Sequence, residues 1–223
     1  MTRSLGLAFA FFLVSVAPAP AQKQTTAAGP VNLTAKSANV GDSGIPIKIS
    51  ILRWSTDEER KPLVAALDPA AQAAAQAAAA AGGRGAGGAG GGRGGRGGDA
   101  RPVDPIAALT AALGKAPTVG YLWTSEVVGY SIKYAYRIPL PDGGERIILV
   151  TDRRLGAGTG GWKVATGTPT DYEFTLIELR MDSKGSGEGK ASLTSKVIFE
   201  NEAKTLALDN YAATPAVLQN VKR

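Results

Sequence analysis

The chain has no cysteine and no histidine among its 223 residues. Without cysteine there is no disulfide framework and no thiol nucleophile, so stability rests on a packed core alone. Without histidine, neither a Ser-His-Asp nor a Cys-His system can be assembled, and a zinc site would have only carboxylates as ligands. Any catalyst would have to work with carboxylates, lysine, tyrosine or serine. Aromatic residues are sparse, and none lies between Trp54 and Tyr121. Membrane-spanning apolar runs are missing as well. The run LGLAFAFFLVSV from Leu5 to Val16 falls short of the roughly 20 residues a spanning helix needs, and no later segment approaches that length. With Arg3 before the run and Ala19-Pro20-Ala21 behind it as an A-x-A cleavage site, residues 1–21 are expected to be a secretory signal. The mature chain would begin near Gln22 and be periplasmic or released, without a transmembrane segment.

The formal charge is +6, from 25 basic and 19 acidic residues. Removing Arg3, and then setting aside Arg84, Arg93, Arg96, Arg101 and Asp99, leaves 20 basic against 18 acidic residues. A whole-surface basic field for polyanions is therefore excluded. Those arginines belong to AAGGRGAGGAGGGRGGRGGDAR, Ala80 to Arg101, which has the look of the Arg-Gly tracts of RNA-binding proteins. Such tracts gain from aromatic rings and high charge, and both are missing here. Upstream, Asp68-Pro69 followed by AAQAAAQAAAAA and Gly82 sets out a cap, a helical body and a stop in order. An alanine helix without a stripe of large apolar residues is marginal alone, and the glycines behind it cost too much entropy to order. Residues 69–101 are thus expected to be a flexible, low-complexity insertion, and nucleic acid is not the expected partner. The competing reading is polyanion contact through Arg84, Arg93, Arg96 and Arg101.

The remaining chain shows a period of two. In IPIKISILRW, Ile45, Ile47, Ile49 and Ile51 share one side. Ser55 and Thr56 with Glu58 and Glu59 offer overlapping capping boxes for a helix through Leu67, which Pro62 should bend or delay. DPIAALTAALG predicts a second helix from Asp104 to Gly114. In VGYLWT, Val119, Tyr121 and Trp123 share a face, and in YSIKYAYRI the residues Tyr130, Ile132, Tyr134, Tyr136 and Ile138 do so. The turn PLPDGGER leads into RIILVTD, apolar on both faces and so a central strand. YEFTLIELRMD, KASLTSKVIFE, TLALDNY and AVLQNVK continue at hairpin spacing. The expected fold is mainly β: one antiparallel meander of eight or so strands spanning 45–223, a barrel or a curved sandwich, with a short helical pair that the insertion interrupts. Residues 22–44 read as an N-terminal extension, partly disordered.

Two motif matches fail on context. GAGTGG, Gly156 to Gly161, satisfies G-x-G-x-x-G, but WKVATGTPT follows it where a phosphate-binding helix should begin. The turn Asp182-Ser183-Lys184-Gly185-Ser186-Gly187-Glu188 resembles a calcium loop in composition, yet Lys184 sits among the would-be ligands and Leu193 stands at the twelfth position. Neither a cofactor nor a metal is expected. Glu178, Arg180 and Asp182 share a strand face with Tyr172, Phe174 and Leu176, and charges among large apolar residues need partners. If that face points inward, Glu178 and Arg180 with Asp152 or Arg154 would make a ligand-orienting or acid-base cluster. If it points outward, they form a surface ladder, and Thr175, Ile177, Leu179 and Met181 make the core. Strand-end salt bridges are far commoner than catalytic pairs, which favours a structural role.

The segments ILRWSTDEER, RIPLPDGGERIILVTDRR, YEFTLIELRMDSKGSGEGKASLTSKV and LDNYAATPAVLQNV resemble those of a family of small exported bacterial proteins with no assigned activity. That resemblance covers most of Ile45 to Val221 and implies no cofactor, partner or functional residue. The leading expectation is a non-catalytic exported β-domain that binds a small apolar ligand or an envelope component. Its seat would be the aromatic face of Tyr121, Trp123, Tyr130, Tyr134 and Tyr136, with Arg154, Glu178 and Arg180 orienting the ligand. The alternative from another class is a hydrolase or transferase using two carboxylates among Asp152, Glu178 and Asp182.

Overall fold

A computed structural model describes residues 29–82, 104–126 and 128–223. The expected signal at 1–21 and the four arginines of the tract, Arg84, Arg93, Arg96 and Arg101, lie outside the described residues. In chain order the elements are β1 (Val31–Ser37), β2 (Pro46–Ile51), α1 (Asp57–Ala65), α2 (Pro69–Gly82), α3 (Pro105–Lys115), β3 (Gly120–Trp123), β4 (Tyr130–Pro139), β5 (Glu145–Thr151), β6 (Leu176–Met181), β7 (Ser186–Ala191), β8 (Val197–Glu200), β9 (Thr205–Leu208) and β10 (Ala216–Lys222). Eight strands close into an antiparallel barrel in the order β1-β10-β7-β6-β5-β4-β3-β2, and β8 pairs with β9 as a separate hairpin. The fold is mainly β and a barrel rather than a sandwich.

Several expected boundaries move. The domain begins at Val31 and not at Ile45. Val31, Leu33, Ala35 and Ser37 alternate inward along β1, which pairs with β2 on one side and β10 on the other. Residues 22–44 are therefore not an extension as a whole, because the strand that closes the barrel lies within them. The first part of the expected insertion, Pro69–Gly82, is a regular helix whose first turn Asp68 caps through Ala70 N–H at 2.9 Å. Of the two overlapping capping boxes only Thr56 with Glu59 forms, and α1 carries Pro62 within it. Ser55 instead turns its hydroxyl to the barrel and accepts the Ala135 N–H at 3.0 Å.

The expected turn from Asp182 to Glu188 ends early, and β7 starts at Ser186. This strand is hidden in the sequence because glycines occupy it. A Cβ on Gly187 would lie 2.0 Å from the carbonyl oxygen of Arg180, so only glycine lets β6 and β7 approach. Met181 and Gly187 are cross-strand partners there. KASLTSKVIFE, expected to be one strand, breaks between Ala191 and Val197 into the end of β7 and the start of β8.

Inside the barrel, Leu33, Ile49, Leu122, Ile132, Leu149, Leu179 and Leu218 pack into one apolar cluster, each at most 1% exposed. Eight strands leave an interior that side chains of this size can fill. One end is closed by the loop after β5, from which Leu155 and Trp162 join the cluster and Val164 bridges to Val40. The GAGTGG motif lies in this loop as a run of turns, with no helix behind it.

A second apolar layer covers part of the outside. Leu63 of α1, Leu109 and Leu113 of α3, and Val197, Leu206 and Leu208 of the hairpin pack on Tyr134, Ile148, Val150 and Leu176. This is why β5 is apolar on both faces, as expected of a central strand: Ile147 and Leu149 face the interior, and Ile148 and Val150 face the second layer. On β1 and β2, by contrast, the outward Asn32, Thr34, Lys36 and Lys48 stand exposed. That polar wall is the opposite of the apolar outer band of a membrane barrel. No helix among the described residues is long and apolar enough to cross a membrane.

Gly187→Ala is expected to lower stability by about 1–3 kcal/mol through forced strand separation. Gly158→Ala, whose added Cβ meets nothing within 4 Å, should leave stability unchanged. Urea unfolding midpoints of the two variants check this directly.

Candidate functional site

The five rings expected to share one face go to three different places. On β3, Gly120 and Leu122 point inward, while Tyr121 and Trp123 are 39% and 40% exposed. Val119, just before β3, is buried, and its carbonyl accepts both Leu52 N–H and Arg53 N–H, at 2.9 and 3.3 Å. On β4, Tyr130 and Ile132 face the interior, but the register shifts between Ile132 and Tyr134. After that bulge Ala135 faces inward, and Tyr134 and Tyr136 pack into the outer layer. A bulge adds one residue to one strand and so reverses the facing of everything beyond it. The five rings therefore line no common cavity.

Tyr130 is a latch between loops. Its hydroxyl hydrogen-bonds Glu126 and accepts the Gly156 N–H at 2.9 Å, while Thr159 donates to the other Glu126 oxygen at 2.8 Å. The Arg153 guanidinium stacks on the Tyr130 ring at 4.2 Å and donates to the carbonyls of Val128 and Gly129, both at 3.0 Å. Burial and the neighbouring Glu126 carboxylate push the Tyr130 hydroxyl up to about 12. Tyr134 is likewise pushed up, by burial, and its hydroxyl bonds Thr205 and takes a 3.4 Å contact from Arg60 Nε.

Glu178 is neither inward nor a surface ladder. It faces out of the barrel, under the β8-β9 hairpin, and is 1% exposed. Arg180 Nη2 lies 3.0 Å from its Oε1, and the Leu208 N–H donates to its other oxygen at 3.4 Å. Arg146 Nε also comes within 3.0 Å of Oε1, but that N–H is without a hydrogen bond of acceptable angle, so the contact is Coulombic. Arg146 reaches on to Glu200 with two bonds of 2.9 and 2.8 Å. Tyr211, invisible as a site residue in the sequence, lies between the cations of Arg180 and Lys190, 3.7 and 4.6 Å from its ring centre. The Lys190 ammonium, largely buried, donates to the Tyr211 carbonyl at 2.8 Å. This network ties the hairpin to the barrel.

The other polar candidates do not join it. Arg154 donates to the Thr170 carbonyl at 2.6 Å, bracing the long loop. Asp152 Oδ1 accepts the Ser131 N–H at 3.1 Å, and Asp182 Oδ1 accepts the N–H groups of Lys184 and Ser186 at 2.8 and 2.9 Å. Glu178 is paired across the sheet with Ile148, four residues before Asp152, and lies four residues before Asp182. At roughly 3.3 Å per strand residue these separations are about 13 Å, beyond the roughly 5–9.5 Å at which two carboxylates share one bond-breaking event.

What remains is a surface. Leu52, Tyr121, Trp123 and Val128 are the large apolar side chains that stand exposed among the described residues. All four belong to the ends of β2, to β3, or to the loop that leaves β3. The Tyr121 and Trp123 rings are 5.5 Å apart and tilted by 36°. Trp123 lies against Gly129, where a Cβ would come within 2.7 Å of the indole nitrogen, so the glycine makes room for the ring. Across the sheet, Lys48 partners Trp123, and Ser50 and Ser131 flank Tyr121. An open cleft of about 980 Å³ at the far end of the barrel is polar, and its cations are paired, Arg146 with Glu200 and both Arg137 and Arg223 with Glu145.

Compared with known proteins, the chain matches no family model, no curated sequence and no solved structure.

Replacing Glu178 by glutamine would leave Arg146 with Glu200 alone in a largely buried setting. We expect a loss of about 3 kcal/mol, the low end for a broken buried pair because one partner remains. Thermal unfolding of Glu178→Gln beside Arg180→Ala checks the assignment, the second, half-exposed partner costing clearly less.

Proposed function

We propose that the chain is a non-catalytic, exported binding module that docks an envelope component on the outer wall formed by β2 and β3. One observation supports this reading above the others: two adjacent rings, Tyr121 and Trp123, stand exposed on one uncovered wall, with the exposed Leu52 and Val128 in the segments that directly follow β2 and β3. Scattered single apolar residues are ordinary on a protein surface, whereas a contiguous patch rimmed by polar groups marks an interaction site. Tyr and Trp bring contact area at low entropic cost together with a polar edge, which suits recognition of an amphipathic partner. The closed barrel offers no free strand edge, so on this wall recognition falls to side chains and not to strand addition.

The barrel interior plays the part of a scaffold in this reading. Its side chains hold the strands in register and thereby fix the spacing of Tyr121 and Trp123, and a site on strands is held more firmly than one on loops. The reading requires export, for which the basic start, the apolar run and the A-x-A exit of residues 1–21 are the support.

The test is cosedimentation of the purified protein with the envelope fraction of its own cells. Retention of the wild type that is lost in the double variant Tyr121→Ala/Trp123→Ala, with an unchanged circular dichroism spectrum, is the expected result. Equal retention of both proteins would reject the wall as the docking surface.

A further inference from the structure

The chemistry of the wall goes further than its exposure and names a class of partner. We propose that it takes an acidic polysaccharide, whose sugar rings lie on Trp123 and Tyr121 and whose carboxylates or phosphate esters sit beside Lys48. The inference rests on the reading of the wall as the binding surface and adds the identity of what binds.

Three features carry it. The first is the presentation of the rings. The Tyr121 and Trp123 rings lie 5.5 Å apart, tilted by 36°, and are 39% and 40% exposed, so the pair offers one aromatic surface to solvent. A pyranose has a face of C–H bonds that packs on an aromatic face and a rim of hydroxyls that needs hydrogen bonds. Ser50 and Ser131, on either side of Tyr121, and Thr124, next to Trp123, stand where that rim would fall. The second is charge. Strands β1, β2, β3 and β10 hold Lys36, Lys48 and Lys222, all exposed, and not one aspartate or glutamate. Of the nearby acids, Asp152 is paired with Arg153 at 3.7 Å and accepts the Ser131 N–H, while Glu126 keeps its charge but is turned to the Tyr130 and Thr159 hydroxyls. Lys48 lies directly across the sheet from Trp123, so an anion carried by the stacked sugar meets a cation. The third is shape. An open groove of about 730 Å³, lined by Ile45, Pro46, Lys48, Trp123, Thr124 and Ser125, runs on from the indole. Its volume is that of a small-ligand site, but it is open rather than enclosing, which suits a polymer passing across.

The same features weigh against the other partners of an aromatic and basic surface. A membrane surface is entered by an apolar face that sinks roughly 5–10 Å into the headgroup boundary, whereas Tyr121 and Trp123 are only 39% and 40% exposed and have Lys48, Ser50 and Ser131 as cross-strand partners. Single-stranded nucleic acid is held by arginine stacking and a dense phosphate-binding track, whereas the four strands contain no arginine and the neighbouring Arg53 and Arg153 are held by Glu59 and by the Val128 and Gly129 carbonyls.

Affinity electrophoresis through gels containing polygalacturonate, its carboxyl-reduced neutral form, or no polymer tests the proposal, with phosphatidylglycerol vesicles and a thymidine oligonucleotide in parallel binding assays. The acidic polymer should retard the wild type. Trp123→Ala should weaken that by at least about tenfold, and Lys48→Gln should bring it down to the level of the neutral form. Both positions are on the exposed wall, so the fold survives the changes. Equal retardation by acidic and neutral polymers, binding to vesicles or oligonucleotide with none to polysaccharide, or indifference to Trp123→Ala would each overturn it. Trp123-dependent retention on envelopes without polysaccharide binding would leave the wall as the docking surface and remove only this assignment. Loss of both would remove the two together.

Discussion

The pairing of β1 with β10 turns a sheet into a barrel, and every other feature follows from that closure. A closed sheet has no edge, so each strand is hydrogen-bonded on both sides and its register is fixed all the way round. With register fixed, every second side chain on each strand must fit the interior, and the ones between must meet solvent or a covering layer. The interior is met by Leu, Ile and Val at positions such as Leu33, Ile49, Leu122 and Leu218. The outside is divided. Helices and the β8-β9 hairpin cover the outer faces of β4 to β6, while β1 to β3 remain bare.

That division explains the two kinds of polar chemistry in the molecule. Under the hairpin, where water is excluded, a single carboxylate at Glu178 collects two arginines, and Tyr211 is held between two cations. Charges buried in this way are costly to separate, so they specify how the hairpin sits more than they offer a reaction site. On the bare side the polar groups are single, exposed and unlocked, with two rings among them. The first arrangement is locked by its partners; the second is not.

Much of this was legible in the sequence, and the exceptions have causes. Period-two alternation gave the antiparallel strands, the doubly apolar RIILVTD gave a strand buried on both faces, and Asp68, Thr56 and Asp104 marked helix starts by their caps. Three facts were not written there. A bulge after Ile132 turns Tyr134 and Tyr136 outward although the letters keep alternating. Along β3 the alternation is regular, but the face that holds Tyr121 and Trp123 is the outer one although Val119 just before it is buried. Glycine-rich β7 carries no strand signature because its need is for close approach, a property of the neighbouring backbone and not of its own side chains. The five candidate rings thus do not share a face. Two of the five make the wall; Glu178 was rightly singled out as a charge needing partners, while Lys190 and Tyr211 gave no signal because their roles depend on long-range packing.

The allocation of β3, with Leu122 inside and Tyr121 and Trp123 outside, is the claim on which the functional account stands. The absence of native cysteine makes it directly measurable, since a single introduced thiol is the only one in the chain. Cysteines placed one at a time at positions 121, 122 and 123 are exposed to a bulky maleimide under native conditions and again in denaturant. The account predicts fast native labelling for Tyr121→Cys and Trp123→Cys, and labelling of Leu122→Cys only on unfolding. Fast native labelling of Leu122→Cys with protection of its two neighbours would contradict it.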